Sequence, residues 1–300
     1  MKILLAVDGS EHSEDAARFL TLLDLGPDDE ITVFHALHWS HFLYNENSYR
    51  QAIKELKKLF APRIIDAILN ILKPVRAKIS TAMVEGPARQ AIIEKAAEAG
   101  MDLIVMGARG TTGIESLLLG SVTRAVAAKS MVPVLVTKPA ASCGEEKMKI
   151  LFATDGSEFS ISTQELLSSI PFPGNSEVTI LNVIEPAFMD MYIPATVDPE
   201  INDRFIRIMD EVNKSGRLRS GRIVEQARDY LSRKFVNIRV LSEEGTPAAR
   251  ILEESDNLKA GLIAAGCRGL TGLTGMMGSV SRNILSHSKC PVLIGKMCGD

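Results

Sequence analysis

Short apolar runs with little polar alternation recur through the first half of the chain, at residues 3–7, 31–36, 77–84, 103–106 and 132–136. Runs of this length, rich in Ile and Val, read as strands, and the lack of alternation reads as strands covered on both faces. Between them the spacing predicts helices over residues 14–23, 48–73 (bent at Pro62), 89–99 and 121–130. Strand and helix in strict alternation imply an α/β fold of the doubly wound type. Ligands of such folds sit at the carboxyl ends of the strands, where the strand order reverses.

The second half repeats the first. ILLAVDGSEHS at residues 3–13 is answered by ILFATDGSEFS at 150–160, and VEGPARQAII at 84–93 by EEGTPAARIL at 243–252. DLIVMGARGTTG at 102–113 is answered by GLIAAGCRGLTG at 261–272, GSVTRAV by GSVSRNI, and VPVLV by CPVLI. Matches kept in one order at a domain-sized period mean two tandem domains rather than a solenoid. Residues 137–149, TKPAASCGEEKMK, are small, polar and charged, as a linker is, which places the domains at 1–140 and 148–300.

Bulk properties narrow the classes of function. With 34 basic and 37 acidic residues in 300, the formal charge is −3, which offers no electrostatic reason for a nucleic acid or anionic membrane partner. No apolar stretch nears the roughly 20 residues that span a bilayer, and Asp8 interrupts the first apolar run too early for a signal peptide. The cysteines Cys143, Cys267, Cys290 and Cys298 form no C-x-x-C pair. The expectation is a reduced, cytoplasmic protein.

The candidate chemistry lies after the fourth strand. Gly107, Gly110 and the pair Gly120–Ser121 bracket a long loop that leads into a helix. Glycines let backbone amides approach an anion, and a helix start adds free N–H groups and a positive dipole end. A packed loop with Ser121 as an ordinary N-cap is the competing reading. Walker A and the dinucleotide fingerprint G-x-G-x-x-G are both missing.

Gly-x-x-Gly, nine residues, then Gly-Ser is the motif of ATP-binding universal stress proteins, and residues 107–121 match it without a gap. With the Asp-Gly-Ser after strand one and the P-V-L-V closing strand, the chain resembles a double-domain member of that family over nearly its whole length. The resemblance implies two tandem Rossmann-like domains of the adenine nucleotide alpha hydrolase-like type. Each is expected to hold a five-stranded parallel sheet with helices on both faces. It implies ATP (or AMP or ADP) as ligand, with Mg²⁺ brought by the nucleotide. Asp8 would lie by the adenosine and the backbone of Ala36 by the adenine, with Gly107, Arg109, Gly110, Gly120, Ser121 and Val122 at the phosphates. The matching positions in the second half are Asp155, Val183, Gly266, Arg268, Gly269, Gly278 and Ser279. There the loop is one residue shorter, since eight residues rather than nine separate Gly269 from Gly278. On that ground the first half is expected to be the principal ATP site. The resemblance also implies that the two closing strands pair across a pseudo-twofold axis, so that one chain mimics a dimer. Whether two such chains associate further is left open.

The resemblance implies a regulatory role in the stress response, and no nucleophile–base pair or carboxylate cluster is evident, so slow ATP hydrolysis is expected at most. The competing class is a nucleotide-independent interaction protein. An enzyme of the related hydrolase superfamily is disfavoured, because Asp8-Gly9-Ser10 stands where its S-G-G-x-D-S loop would be. His35, His38 and His41 invite a metal reading but lack carboxylate or thiolate partners at ligand spacing. Cys267 would be reactive only where a helix dipole lowers its pKa. The second half carries extra residues, expected around 188–200, where a packed loop competes with a lid.

Overall fold

The computed structural model describes residues 1–37, 47–110, 119–139, 147–186, 199–269 and 277–297. In the first half, β1 (Lys2–Val7), α1 (Glu11–Thr21), β2 (Glu30–Leu37), α2 (Asn47–Leu72) and β3 (Lys78–Glu85) are followed by α3 (Ala88–Glu98), β4 (Leu103–Gly107), α4 (Ser121–Lys129) and β5 (Val134–Thr137). The second half repeats the order with β6 (Lys149–Ala153), α5 (Glu158–Ser169), β7 (Glu177–Ile184), α6 (Pro199–Leu231) and β8 (Asn237–Glu244), then α7 (Pro247–Leu258), β9 (Leu262–Gly266), α8 (Ser279–His287) and β10 (Val292–Gly295).

All these strands lie in one sheet of order β3-β2-β1-β4-β5-β10-β9-β6-β7-β8. Within each half every pairing is parallel. The halves meet at β5 and β10, which run antiparallel with Leu135 opposite Leu293. This is the pairing the closing strands were expected to make, and it removes one edge from each half. In both halves the chain starts in the third strand from its outer edge and winds first outward, then back. The order therefore reverses between β1 and β4, and again between β6 and β9.

Side chains alternate across the sheet with the period of two that a strand imposes. Ile3, Leu5 and Val7 of β1 pack with Phe19, Leu20, Ile68 and Leu72 of α1 and α2. Leu4 and Ala6 pack on the other face with Ile92, Ala96, Val126 and Ala127 of α3 and α4. Each facial layer continues through the seam, so Leu135, Ile150, Phe152 and Leu293 belong to the same cluster as Leu5. Burying one such Leu, Ile or Phe side chain contributes about 1.5–3 kcal/mol, and the continuous layer makes the two halves share a core.

Several boundaries differ from the sequence expectation for local reasons. Helix α1 begins at Glu11 rather than residue 14, because the Ser10 hydroxyl accepts from Ser13 N–H as an N-cap. Strand β5 begins at Val134, since Pro133 has no N–H to pair; its carbonyl accepts from Ile104 N–H at 2.9 Å. Helix α2 continues through Pro62. The outermost strands β3 and β8 are largely exposed, unlike the fully covered strands expected throughout. Thr137 closes β5 and Lys149 opens β6, so the ends of the segment read as linker are strand. Part of the extra length of the second half is helix, α6 having 33 residues against 26 in α2. Residues 187–198, where a loop or lid was expected, lie outside the described residues, as do His38, His41, Cys143 and Cys298. Among the described residues no helix is long and apolar enough to cross a membrane.

Candidate functional site

Strand β1 delivers Asp8 to the carboxyl end of the sheet. The turn that follows needs Gly9 at φ +83°, a left-handed conformation natural to glycine. The Asp8 carboxylate folds back on this turn: Oδ1 accepts from Ser10 N–H at 3.0 Å and from the Ser10 hydroxyl at 2.6 Å. The same Ser10 hydroxyl lies 3.4 Å from the Arg109 carbonyl, tying the first turn to the glycine loop. Asp-Gly-Ser is therefore both a strand-to-helix turn and a brace for the loop across the cleft.

The two glycines of the loop entrance serve different neighbours. A Cβ at Gly107 would stand 2.5 Å from the His12 carbonyl oxygen, so this glycine allows α1 to approach the end of β4. A Cβ at Gly110 would fall on Oδ2 of Asp8, which places the loop backbone directly against the carboxylate. Where the loop returns, Gly120 N–H donates to the Ala108 carbonyl at 2.8 Å, and the Thr123 hydroxyl donates to the Gly107 carbonyl at 2.9 Å. Residues 107–110 and 119–123 are thus pinned together, and residues 111–118 lie outside the described part.

The N-cap of α4 is Gly120, not Ser121. Glycine has no side chain to satisfy the first-turn N–H groups, and no acidic residue stands in that turn. Ser121 and Val122, the first helical residues, carry these donors, with Ser121 exposed and Val122 half-buried. Ala36 sits one residue beyond the His35–Val7 pair of the β2–β1 ladder, beside Asp8. Asp8, Ala36, Gly107, Arg109, Gly110, Gly120, Ser121 and Val122 therefore converge where the strand order reverses.

The second half builds the same arrangement with partly different residues. Asp155 Oδ1 accepts from Ser157 N–H at 3.0 Å, and Gly156 takes φ +75°. A Cβ at Gly269 would stand 2.7 Å from Asp155 Oδ2. Gly278, again the N-cap of its helix, donates to the Cys267 carbonyl at 2.8 Å, and the Ser281 hydroxyl donates to the Gly266 carbonyl at 2.6 Å. Asp155, Val183, Gly266, Arg268, Gly269, Gly278 and Ser279 all line one cavity of about 680 Å³. Such a volume lies within the usual range for a small-molecule site. One residue fewer in the loop leaves its anchored ends unchanged; residues 270–276 lie outside the described part.

The histidine once readable as a metal ligand has another task. His35 is buried, and its Nδ1–H donates to the Val7 carbonyl at 2.8 Å. Asn182 occupies the matching place and donates to the Thr154 carbonyl at 2.7 Å. In each half a polar side chain from the second strand holds the backbone just before the aspartate. Among the described residues no group of three His, Cys, Asp or Glu could hold a metal ion. Cys267 is buried, and burial pushes its thiol up against the smaller opposing pull of Lys296 and Arg268. It is a packed residue.

Sequence reasoning missed Thr154, Asn182 and Arg282, all of which line the second cavity. Arg282 also donates from Nη2 to the Met277 carbonyl at 2.9 Å, as Arg124 does to Leu119 at 3.5 Å in the first half. The arginine shared by GSVTR and GSVSR was the available signal. Arg268 lies over the Phe159 ring, 5.2 Å from its centroid. His12 is the matching residue in the first half, and its Nδ1 is buried with no hydrogen-bond partner among the described residues.

Comparison with known proteins agrees with this geometry. The chain matches the model of the universal stress protein family over residues 1–138 and 147–296. It is 35% identical over 139 residues to universal stress protein MJ0531 of Methanocaldococcus jannaschii, covering 46% of this chain and 81% of that one. It is 24% identical over 298 residues to a universal stress protein of Mycolicibacterium smegmatis, covering 97% of this chain and 96% of that one. A universal stress protein structure from Archaeoglobus fulgidus shares the fold, with TM-score 0.64 and 21% identity, over 99% of this chain and 98% of that one.

Proposed function

The chain belongs to the universal stress protein family, and we propose that it works there as an ATP-binding regulatory protein of the stress response. The observation that carries this reading is the contact between loop backbone and aspartate, Gly110 against Asp8 and Gly269 against Asp155. It brings a carboxylate next to a glycine-capped helix start, and in the second half these groups line the cavity of about 680 Å³. Asp8 and Asp155 would hold the ribose hydroxyls, and the backbones at Ala36 and Val183 the adenine edge. The N–H groups at Ser121 and Val122, and at Ser279, would face the phosphates, with Arg109 and Arg268 alongside. Charge-assisted and helix-start contacts of this kind contribute about 0.3–3 kcal/mol each. Several of them, together with the apolar walls of the base pocket, reach the roughly −8 kcal/mol of a micromolar complex.

We assign a site to each half. The first half carries the full nine-residue loop. The second, despite its shorter one, keeps the approach of Gly269 to Asp155 and the bonds of Gly278 and Ser281 that anchor the loop ends. Mg²⁺ would come with the nucleotide and be held by its phosphates. The role is occupancy-dependent regulation, with hydrolysis no faster than a bound and partly neutralised triphosphate undergoes. We place the protein in the cytoplasm, where nucleotide is abundant.

Calorimetric titration of nucleotide-stripped chain with MgATP tests the reading, and Gly110→Val with Gly269→Val should remove all binding. A second reading draws on α6, where Ile201, Ile206, Ile208 and Leu218 are exposed. Such a surface suits a protein partner. Loss of partner binding on polar substitution there, with no nucleotide binding anywhere, would favour an adaptor instead.

A further inference from the structure

Two buried lysines link the halves reciprocally. Lys138, the first residue after β5, donates from Nζ to the carbonyl of Ser288, the C-cap of α8 in the other half. Lys296, the first residue after β10, donates from Nζ to the carbonyl of Ala127 in the last turn of α4, at 2.7 Å. They are 8% and 6% exposed. A buried ammonium is costly unless partnered, and here each partner is a helix C-terminus, whose partial negative charge favours a cation. Neither lysine lies in the nucleotide cleft. Each holds the far end of the helix whose first turn faces that cleft.

From each lysine a chain of hydrogen bonds leads back to the glycine loop of its own half. Ala108 N–H donates to the carbonyl of Thr137, the neighbour of Lys138, at 2.8 Å. The Ala108 carbonyl in turn accepts from Gly120, the N-cap of α4. In the second half Cys267 N–H donates to the carbonyl of Gly295, the neighbour of Lys296, at 2.9 Å, and the Cys267 carbonyl accepts from Gly278, the N-cap of α8. The path is closed. It runs from the first loop through Lys138 into α8 and the second loop, then through Lys296 into α4 and back.

We propose that this ring couples the two nucleotide sites, so that occupancy of one half tightens binding in the other through Lys138 and Lys296. The proposal rests on the reading that both halves bind nucleotide. Its physical basis is the brevity of α4 and α8, nine residues each, roughly 13 Å long. Helices this short depend on their ends. An anion at the first turn and an ammonium at the last turn stabilise the same aligned peptide dipoles. A ligand held between residues 107–110 and the first turn of α4 also fixes Ala108 and Thr137, hence the reach of Lys138 onto α8. The second site is then partly ordered in advance, and its own ligand has less ordering left to impose. Charge follows the same route: burial is the main influence that lowers Lys138 and Lys296, and Arg109 and Arg268 respectively add to it. Phosphate neutralising either arginine therefore favours the ammonium that grips the opposite helix.

The test compares MgATP affinity of the second half in the otherwise native chain and in a Gly110→Val chain, whose first half is blocked. Coupling of ordinary strength makes binding about fivefold or more tighter when the first half is free to fill. The difference should vanish when Lys138→Met and Lys296→Met are added. Equal affinity of the second half in both chains would overturn the coupling and leave the nucleotide reading intact. Coupling that persists without the lysines would overturn their part in it. No binding in the native chain would overturn the nucleotide reading itself, and the coupling with it. A second arm needs no lysine substitution: in a Gly269→Val chain, where only the first half binds, MgATP should slow amide exchange in α8 about fivefold. Unchanged exchange there would also overturn the proposal.

Discussion

An alanine at Gly107 would place its Cβ 2.5 Å from the carbonyl oxygen of His12 and 2.6 Å from the carbonyl carbon, both backbone atoms of α1. No flexible side chain can give way, so α1 has to shift off the end of β4. Overpacking of this kind costs about 1–3 kcal/mol. In a domain of 150–250 residues each kcal/mol lowers the melting midpoint by roughly 2–4 °C, so the expected fall is roughly 2–12 °C. Gly110→Ala should behave oppositely. Among the described residues its methyl meets only the Asp8 carboxylate, the far end of a side chain that can rotate away. Stability should then change little, while a hydrogen bond from the ligand to a charged group, about 1.5–3 kcal/mol, is lost. That corresponds to roughly 10- to 150-fold weaker nucleotide binding in the first half. Scanning calorimetry and MgATP titration of both variants separate the two effects. A Gly107→Ala chain melting within about 1 °C of the parent, or a Gly110→Ala chain binding as the parent does, would refute the division of labour between the glycines.

Further expectations follow from the same contacts. Asn182→Leu removes the donor to the buried Thr154 carbonyl, which should cost about 1–3 kcal/mol; an unchanged midpoint would show that the bond is dispensable. Phe152, fully buried, lies in a core layer that continues across the seam, so Phe152→Ala should cost about 3–5 kcal/mol and still give one transition. Two separated transitions would mean that the halves melt independently. Burial, with a smaller contribution from Arg109 and against the pull of Cys290, lowers the Lys138 ammonium from 10.5 to about 8. Between those values the unfolded chain binds more protons than the folded one, so unfolding free energy rises with pH across that window. The parent should therefore gain stability over Lys138→Met as pH is raised from 8 towards 10.5, and parallel profiles would contradict this.

Much of this architecture is readable before any coordinates, because the strands that bury both faces leave uninterrupted apolar runs such as LLAV and LIVM. The internal repeat did the rest, since one half's reading could be checked against the other. What escaped has physical causes. Exposed edge strands such as KISTAMVE carry no distinctive pattern, so β3 could not be told from a covered strand. The helix expected from residue 14 starts earlier, because the bond from Ser13 N–H to the Ser10 hydroxyl makes Ser10 its N-cap. His35 and Asn182 do one job with unlike chemistry, which residue identity conceals and strand register reveals. The site glycines were legible as a set but not individually. Spacing cannot distinguish a glycine that admits a helix backbone, Gly107, from one that admits a carboxylate, Gly110. Lys138 and Lys296 gave no signal at all, because their partners lie in the opposite half, 150 and 169 residues away.

The central claim is that both halves of this chain bind nucleotide, and stoichiometry addresses it most directly. Nucleotide-stripped protein titrated with MgATP in a calorimeter should take up two equivalents per chain at micromolar affinity. Gly110→Val and Gly269→Val should each remove one of them. A single equivalent, lost with Gly110→Val and untouched by Gly269→Val, would contradict the second site, and no heat of binding at all would contradict the account as a whole.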